Sequence, residues 1–139
     1  MHTPWGASHG PGTPHGEGIT LYSTSSYGGF FVAPELNAKV PDYLRAATYR
    51  QLGEQGWYEE DQDWSIVAIV FPDRFSADDV KDAHRFAAMR FDFPGATNAL
   101  ADAYQRWVAE QPCDHGPTPS CPRLDAQAAI RARTEAPGL

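Results

Sequence analysis

The most apolar run in the chain extends from Trp64 to Phe71 and contains no charged residue. Trp64, Ile66, Ala68 and Val70 alternate with Val67, Ile69 and Phe71, so a strand over these residues would be apolar on both faces. Strands of this kind lie in the centre of a sheet. We therefore predict a central strand over residues 64–71 and expect Trp64 to be buried.

A β-hairpin is predicted upstream of this run. Residues near 19–22 and 29–33 are rich in β-branched and aromatic side chains. Between them, residues 23–29 supply the serine, threonine and glycine residues that are typical of turns. These two segments and residues 64–71 together predict a small antiparallel sheet.

Helix signals follow in the remaining segments. Pro41 suits a first helical position and predicts a short helix over about 41–50. Ser76, followed three positions on by Asp79, predicts a helix over about 77–91. Residues 96–110 place Leu100, Ala103, Tyr104, Trp107 and Val108 on one helical face, and residues 125–133 suit a short final helix. The predicted fold is α+β, with the sheet packed by two C-terminal helices at about 77–91 and 96–110.

A single domain over residues 1–139 is expected from the length of the chain. Residues 1–18 and 112–139 are rich in glycine, proline and other loop-forming residues, and we predict that both segments are peripheral. The first residues do not resemble a secretory signal, and no run is long enough to span a bilayer. We expect a cytoplasmic protein.

The charge of the chain is strongly acidic. It carries 11 basic and 18 acidic residues, a formal net charge of −7 at pH 7. Nine of the acidic residues fall between Glu54 and Asp82, where only Arg74 and Lys81 are basic. Such a surface repels nucleic acid and anionic membranes and attracts basic protein surfaces. We expect an acidic face, a basic protein partner, and no direct contact with nucleic acid or membrane.

Residues 56–64 read Gly-Trp-Tyr-Glu-Glu-Asp-Gln-Asp-Trp, with four carboxylates between two tryptophans. Three interpretations are open: a solvated or internally paired turn, a catalytic or hard-cation site, and a docking patch for a basic partner. The neighbouring rings suit either interface anchors or a core. The residues predicted to contact a partner are the anchors Trp57 and Tyr58, the acids Glu59, Glu60, Asp61 and Asp63, and the supporting acids Asp73, Asp78, Asp79 and Asp82.

Other reactive side chains give weaker signals. Ser23, Thr24 or Tyr27 could include a nucleophile activated by a histidine, but a turn whose hydroxyls bond the local backbone is the favoured interpretation. His84 is expected to be packed or exposed rather than a ligand. Cys113, His115 and Cys121 supply three of the four ligands of a typical zinc site. We interpret the cysteines as two free thiols in a loop, with a zinc site or a disulfide as alternatives, and predict no metal or cofactor.

The order of several short motifs resembles a small family of domains of unknown function. The motifs are Thr3-Pro4-Trp5-Gly6, Gly18-Ile19, Ser23-Thr24, Gly28-Gly29, Pro34-Glu35-x-Asn37, Pro41, Gly56 to Asp61, Trp64 and Phe71-Pro72. The resemblance covers residues 3–75 and implies carriage by proteobacterial plasmids, integrative elements and phages. It carries no catalytic residues across. Tyr27 stands where that family often has histidine, so no histidine-dependent role at the turn is implied here.

Two main hypotheses of function follow. The first is a non-enzymatic anti-defence protein, similar to anti-CRISPR proteins, that binds a basic surface of a nucleoprotein effector and blocks DNA entry. The alternative is a small hydrolase or transferase that uses the 59–63 carboxylates with a histidine. A zinc-stabilised adaptor built on Cys113, His115 and Cys121 is a third hypothesis.

Overall fold

A computed structural model describes residues 2–25, 27–94 and 98–111. The strands are β1 (His2–Thr3), β2 (Gly6–Ala7), β3 (Thr13–Pro14), β4 (Ile19–Ser23), β5 (Gly28–Val32) and β6 (Trp57–Glu59). The helices are α1 (Pro34–Asn37), α2 (Asp42–Ala46), α3 (Trp64–Val70), α4 (Ala77–Ala87) and α5 (Ala99–Glu110), with 3₁₀ segments at Tyr49–Gln55 and Pro72–Arg74. The fold is α+β, as predicted.

The main sheet is antiparallel and has the order β3-β4-β5-β6, while β1 and β2 form a separate pair. The predicted hairpin is confirmed: Ile19 lies opposite Val32, and Ser23 lies opposite Gly28. On its other side, β5 pairs with β6, which places Glu59 opposite Gly29 and Trp57 opposite Phe31. Side chains alternate between the two faces of the sheet along each strand.

The prediction of a central strand over residues 64–71 is wrong, because this run forms α3 (Trp64–Val70). Ile66, Val67 and Ala68 are 0% exposed. A short helix that is buried on all sides needs the same continuous apolar sequence as a doubly buried strand, so alternation along the run cannot separate the two. The strand that the sheet does use, β6, lies just before the run.

The two C-terminal helices are confirmed and slightly shorter than predicted. Ser76 caps α4 by accepting a hydrogen bond from the backbone N–H of Asp79 at 3.1 Å. The helix predicted over 41–50 is α2, which ends at Ala46 before the chain continues into the 3₁₀ segment. Residues 125–133 lie outside the described residues. None of the described helices has the length and apolar character needed to cross a membrane.

The helices cover one face of the sheet and enclose the main core. The sheet contributes Ile19, Phe30, Val32 and Tyr58, and the helices contribute residues such as Leu44, Ile66, Val67, Tyr104 and Trp107. Helix α3 lies between the sheet and α4. Trp64, expected to be buried, is only partly buried and packs against Phe86 of α4 with ring centroids 6.2 Å apart.

The opposite face of the sheet carries a smaller aromatic group, which we call the second-face cluster: Trp5, Tyr22, Phe31 and Trp57. The ring of Trp57 lies at its centre, with centroids 4.8 Å from Phe31, 5.7 Å from Trp5 and 5.9 Å from Tyr22. Trp5 comes from the N-terminal segment and covers Gly29, where an added Cβ would lie 2.5 Å from its ring. No helix covers this cluster in the described part of the chain, and only Trp57 among its rings is buried.

A buried polar link joins the sheet to the helical layer. The hydroxyl of Tyr58 donates a hydrogen bond to Oδ1 of Asn37, and Nδ2 of Asn37 donates to the carbonyl of Gly53 at 2.8 Å. Both side chains are buried, so neither amide atom of Asn37 has access to water as a substitute partner. The link fixes β6 against α1 and the 3₁₀ segment.

The substitution Tyr58→Phe should therefore destabilise the protein by about 1–3 kcal/mol, because it leaves Oδ1 of Asn37 buried without a donor. Urea denaturation measures the change. Tyr43→Phe is the matched control: its hydroxyl donates to Glu110 in an exposed setting, and this variant should lose less than about 1 kcal/mol. Equal losses in the two variants would contradict the assignment.

Candidate functional site

The four carboxylates of residues 59–63, which we call the acidic turn, lie between β6 and α3 and do not share one environment. Glu60 and Asp61 are exposed, Glu59 is partly buried, and Asp63 is 2% exposed. Alternation along β6 sends the side chain of Glu59 to the face that carries Trp57. Only two of the four acids are therefore freely presented to solvent.

Asp63 has a structural role. Its Oδ2 accepts a hydrogen bond from the backbone N–H of Tyr49 at 2.8 Å, which ties the 3₁₀ segment to the start of α3. Burial raises the pKa of Asp63 to about 6, although the hydrogen bond from Tyr49 acts in the opposite direction. This side chain is not available to a partner.

Glu59 is the second acid of the turn whose pKa is raised. Burial, followed by its hydrogen bond with the side chain of Asp61, raises the pKa of Glu59 to about 7. The backbone N–H of Asp61 also donates to Glu59 Oε1 at 3.1 Å, which favours the charged form. Glu59 is consequently a carboxyl group that changes protonation near neutral pH.

The structure does not present Trp57 and Tyr58 as surface anchors, and this corrects their predicted role. Tyr58 is 0% exposed and Trp57 is 8% exposed. The cause is the pairing of β6 with β5, which turns Tyr58 into the main core and Trp57 into the second-face cluster. Burial also raises the pKa of the Tyr58 hydroxyl above its ordinary value.

Two other aromatic residues stand beside the acidic turn. Tyr27 is 53% exposed and directly precedes Gly28, whose carbonyl accepts a hydrogen bond from the backbone N–H of Glu60 at 2.9 Å. Tyr49 is 51% exposed and is held by Asp63, as described above. Neither is near the turn in sequence. Position 27 is one at which the chain departs from the family it resembles, but only the pairing of the strands shows that Tyr27 lies near Glu60.

Gly28 determines where Glu60 lies. A Cβ at this position would meet Glu60 Oε2 at 2.8 Å, so the absence of a side chain lets the carboxylate approach the hairpin.

In the hairpin itself, the backbone N–H of Tyr27 donates to the hydroxyl of Thr24 at 3.0 Å. This local bonding agrees with the favoured interpretation of the turn.

The supporting acids Asp73, Asp78, Asp79 and Asp82 are all exposed. Asp78 and Asp79 lie in the first turn of α4, and Asp82 pairs with Arg85 at 3.5 Å. Because Phe86 packs on Trp64, the end of α4 lies near the start of α3. Asp73, Asp78 and Asp79 lie at the other end, and Asp82 lies in the middle of α4. The length of α3, about 10 Å for a seven-residue helix, separates Asp73, Asp78 and Asp79 from the acidic turn.

No arginine or lysine of the described residues forms an ion pair with the acidic turn. The four ion pairs that these residues form use Glu54, Asp82, Asp102 and Glu110 instead. His84 is packed in the helical layer, with Nδ1 2.8 Å from the hydroxyl of Tyr104.

Within residues 2–25, 27–94 and 98–111, no three His, Cys, Asp or Glu side chains are grouped so that they could hold a metal ion. Cys113, His115 and Cys121 lie outside the described residues, and the zinc hypothesis stays a prediction.

The described residues form a small α+β domain that presents two acids of the acidic turn, Glu60 and Asp61, to solvent. Residues 1–112 match the family described as "Domain of unknown function (DUF7007)", and the chain belongs to that family. The expected membership of a family of unknown function is confirmed, and the match extends beyond residues 3–75 through α4 and α5. No curated protein and no solved structure matches the chain.

The pKa of Asp63 predicts a pH dependence of stability. Because the folded-state pKa is about 6 against an ordinary value of 3.8, the folded protein holds a proton that the unfolded chain releases. The associated stability is present below about pH 4 and is lost as the pH rises through about 6. Asp63→Asn keeps an acceptor for Tyr49 and removes the titration, so its free energy of unfolding should fall less over this range than that of the wild type.

Urea denaturation at a series of pH values measures this difference. Asp73→Asn is the control, because that residue is exposed and should leave the wild-type pH dependence unchanged. The same slope in Asp63→Asn and the wild type would show that Asp63 is not a buried titrating group.

Proposed function

We propose that this protein is a non-enzymatic anti-defence protein of a phage or mobile element, similar in action to anti-CRISPR proteins. It binds a basic surface of a nucleoprotein effector in the cytoplasm of a bacterial host and blocks DNA entry. The observation that carries the proposal is the presentation of Glu60 and Asp61 as exposed acids beside Tyr27, with no ion pair from any described residue.

The physical basis is competition for positive charge. Effector complexes hold guide RNA and target DNA in channels lined with lysine and arginine. A compact domain with a net charge of −7 is attracted to such a channel, and exposed carboxylates can take the place of phosphate groups. Glu60 and Asp61 form no ion pair with a lysine or arginine in the described part of the chain, so they lose little when a partner's cation replaces water.

The exposure of the side chains supports a revised set of contact residues for this proposal. Glu60 and Asp61 form one patch, and Asp73, Asp78 and Asp79 form a second about one α3 length away. Tyr27 and Tyr49 replace Trp57 and Tyr58 as the exposed rings beside charge, since partly exposed tyrosines contribute strongly to interfaces. Asp63 positions the site without touching the partner. The implied carriage by mobile elements supports the setting.

The test is inhibition of purified CRISPR effector complexes and other DNA-binding defence complexes at low and high salt. The double variant Glu60→Lys and Asp61→Lys should weaken binding at least about tenfold at low salt, because it replaces attraction with repulsion. Wild-type binding should weaken as salt increases, since exposed charges are screened.

A charge-matched control separates local contact from overall charge. Glu17→Lys with Glu35→Lys changes the net charge equally, and both positions are exposed. Glu17 and Glu35 lie beside the Val32 end of β5, away from the Gly28 end that holds Glu60. This control should bind nearly as well as the wild type. Equal loss in both double variants, or inhibition insensitive to Glu60 and Asp61, would contradict the proposal.

A small hydrolase or transferase is the second candidate, favoured by one observation. Glu59 has a pKa of about 7, which suits a general acid or base at neutral pH. The hypothesis also requires a histidine, and no ion pair joins one to the 59–63 carboxylates within the described residues.

An activity screen with nucleotides, oligonucleotides and activated esters tests this candidate. Turnover that changes between about pH 6 and pH 8 and disappears in Glu59→Gln would support it. Asp61→Asn is the comparison variant, since it alters the neighbouring charge but keeps the Glu59 carboxyl. Turnover that Glu59→Gln leaves intact would exclude Glu59 as the acid or base.

A further inference from the structure

The second-face cluster consists of aromatic rings alone, whereas the main core mixes aromatic and aliphatic side chains. Three of its rings, Trp5, Tyr22 and Phe31, are partly exposed and meet around the buried ring of Trp57. Here the sheet keeps several ring surfaces within reach of solvent in one place.

A carboxylate borders the same rings. Glu59 lies opposite Gly29, the residue that Trp5 covers, and two positions along β6 from Trp57 on the same face. Residues two apart on a strand are separated by about 7 Å, which is close enough for one bound group to touch both a ring and the carboxylate. Tyr22 lies across from Gly29 on the other side.

We propose that Trp5, Tyr22, Phe31 and Glu59 form a binding site for an arginine side chain of the protein partner, with Trp57 holding the rings in place. A guanidinium group stacks on aromatic faces and pairs with a carboxylate, and this site offers both. The acidic chain makes a cationic occupant the complementary choice. The inference rests on the proposed function, because it names the group on the basic surface that the second face would bind.

The site also explains the environment of Glu59. Burial beside the rings disfavours its charge in the free protein, and an arginine would restore that charge by pairing with it. Asp61 and Asp63 are the charged groups that act on Glu59 in the free protein, and both raise its pKa. Because that pKa is about 7, arginine should bind more tightly at pH 8 than at pH 6.

An NMR titration with the capped tripeptide Gly-Arg-Gly tests the site directly. The indole N–H of Trp5 is a suitable reporter, since it is buried without an acceptor in the described part of the chain. Saturating shifts of this signal and of the Tyr22 ring are expected with the arginine peptide. The same peptide with citrulline, which has the shape of arginine but no charge, should cause little change.

Variants assign the contact to individual side chains. Glu59→Gln and Tyr22→Leu should each lower the affinity about 5- to 10-fold, as expected for loss of a charge-assisted or cation–π contact. Glu35→Gln is exposed and distant and should have no effect. Equal responses to the arginine and citrulline peptides, or unchanged affinity in both site variants, would overturn the proposal. The comparison of the two peptides uses the wild-type protein, so it remains valid even if a variant fails to fold.

The two proposals fail separately. If the arginine peptide binds as described but no effector complex is inhibited, the site stands and the anti-defence function falls. If an effector is inhibited equally by the wild type and by Tyr22→Leu, the function stands and the arginine site is wrong.

Discussion

The pairing of β5 with β6 is the constraint on which the rest of the structure depends. Gly28 and Gly29 carry no side chains, so Glu60 can approach one face of the hairpin while the ring of Trp5 lies on the other. The same register sends Tyr58 into the main core and Trp57 to the opposite face. A short stretch of sequence thereby contributes to two separate surfaces and one core.

Sequence patterns predicted the elements whose periodicity has one explanation. The hairpin alternates and has a glycine-containing turn, and α4 and α5 each show a single apolar face, α4 with a capping serine. Residues 64–71 could not be assigned in this way, because a run that is apolar in every direction fits a buried strand and a buried helix alike. Strand β6 was missed since its three residues, Trp57 to Glu59, are too few to show alternation.

The sequence shows the charged residues of the acidic turn, but it does not show which distant residues contact them. Local repulsion left a solvated turn, an internally paired turn, a cation site and a docking patch open for all four acids. In the fold, Glu60 and Asp61 are exposed, whereas Asp63 is buried and bonds the backbone of Tyr49, fourteen residues earlier. The association of the turn with Tyr27 likewise depends on pairing across about thirty residues. Contacts of this range follow from the fold as a whole, and no local pattern in the sequence encodes them.

The cover of the second face comes from the beginning of the chain rather than from a helix. Trp5 rests on Gly29, and Gly12 lies against Thr20 and Tyr22, so the segment that seals Trp57 is held by a few ring and backbone contacts. The position at which an affinity tag or a fusion partner is attached therefore affects how well this segment covers Trp57. A bulky group attached just before Thr3 would lie close to the indole of Trp5 and would displace the N-terminal segment from the sheet. This displacement would expose the aromatic rings of the second-face cluster, and an exposed apolar patch promotes self-association.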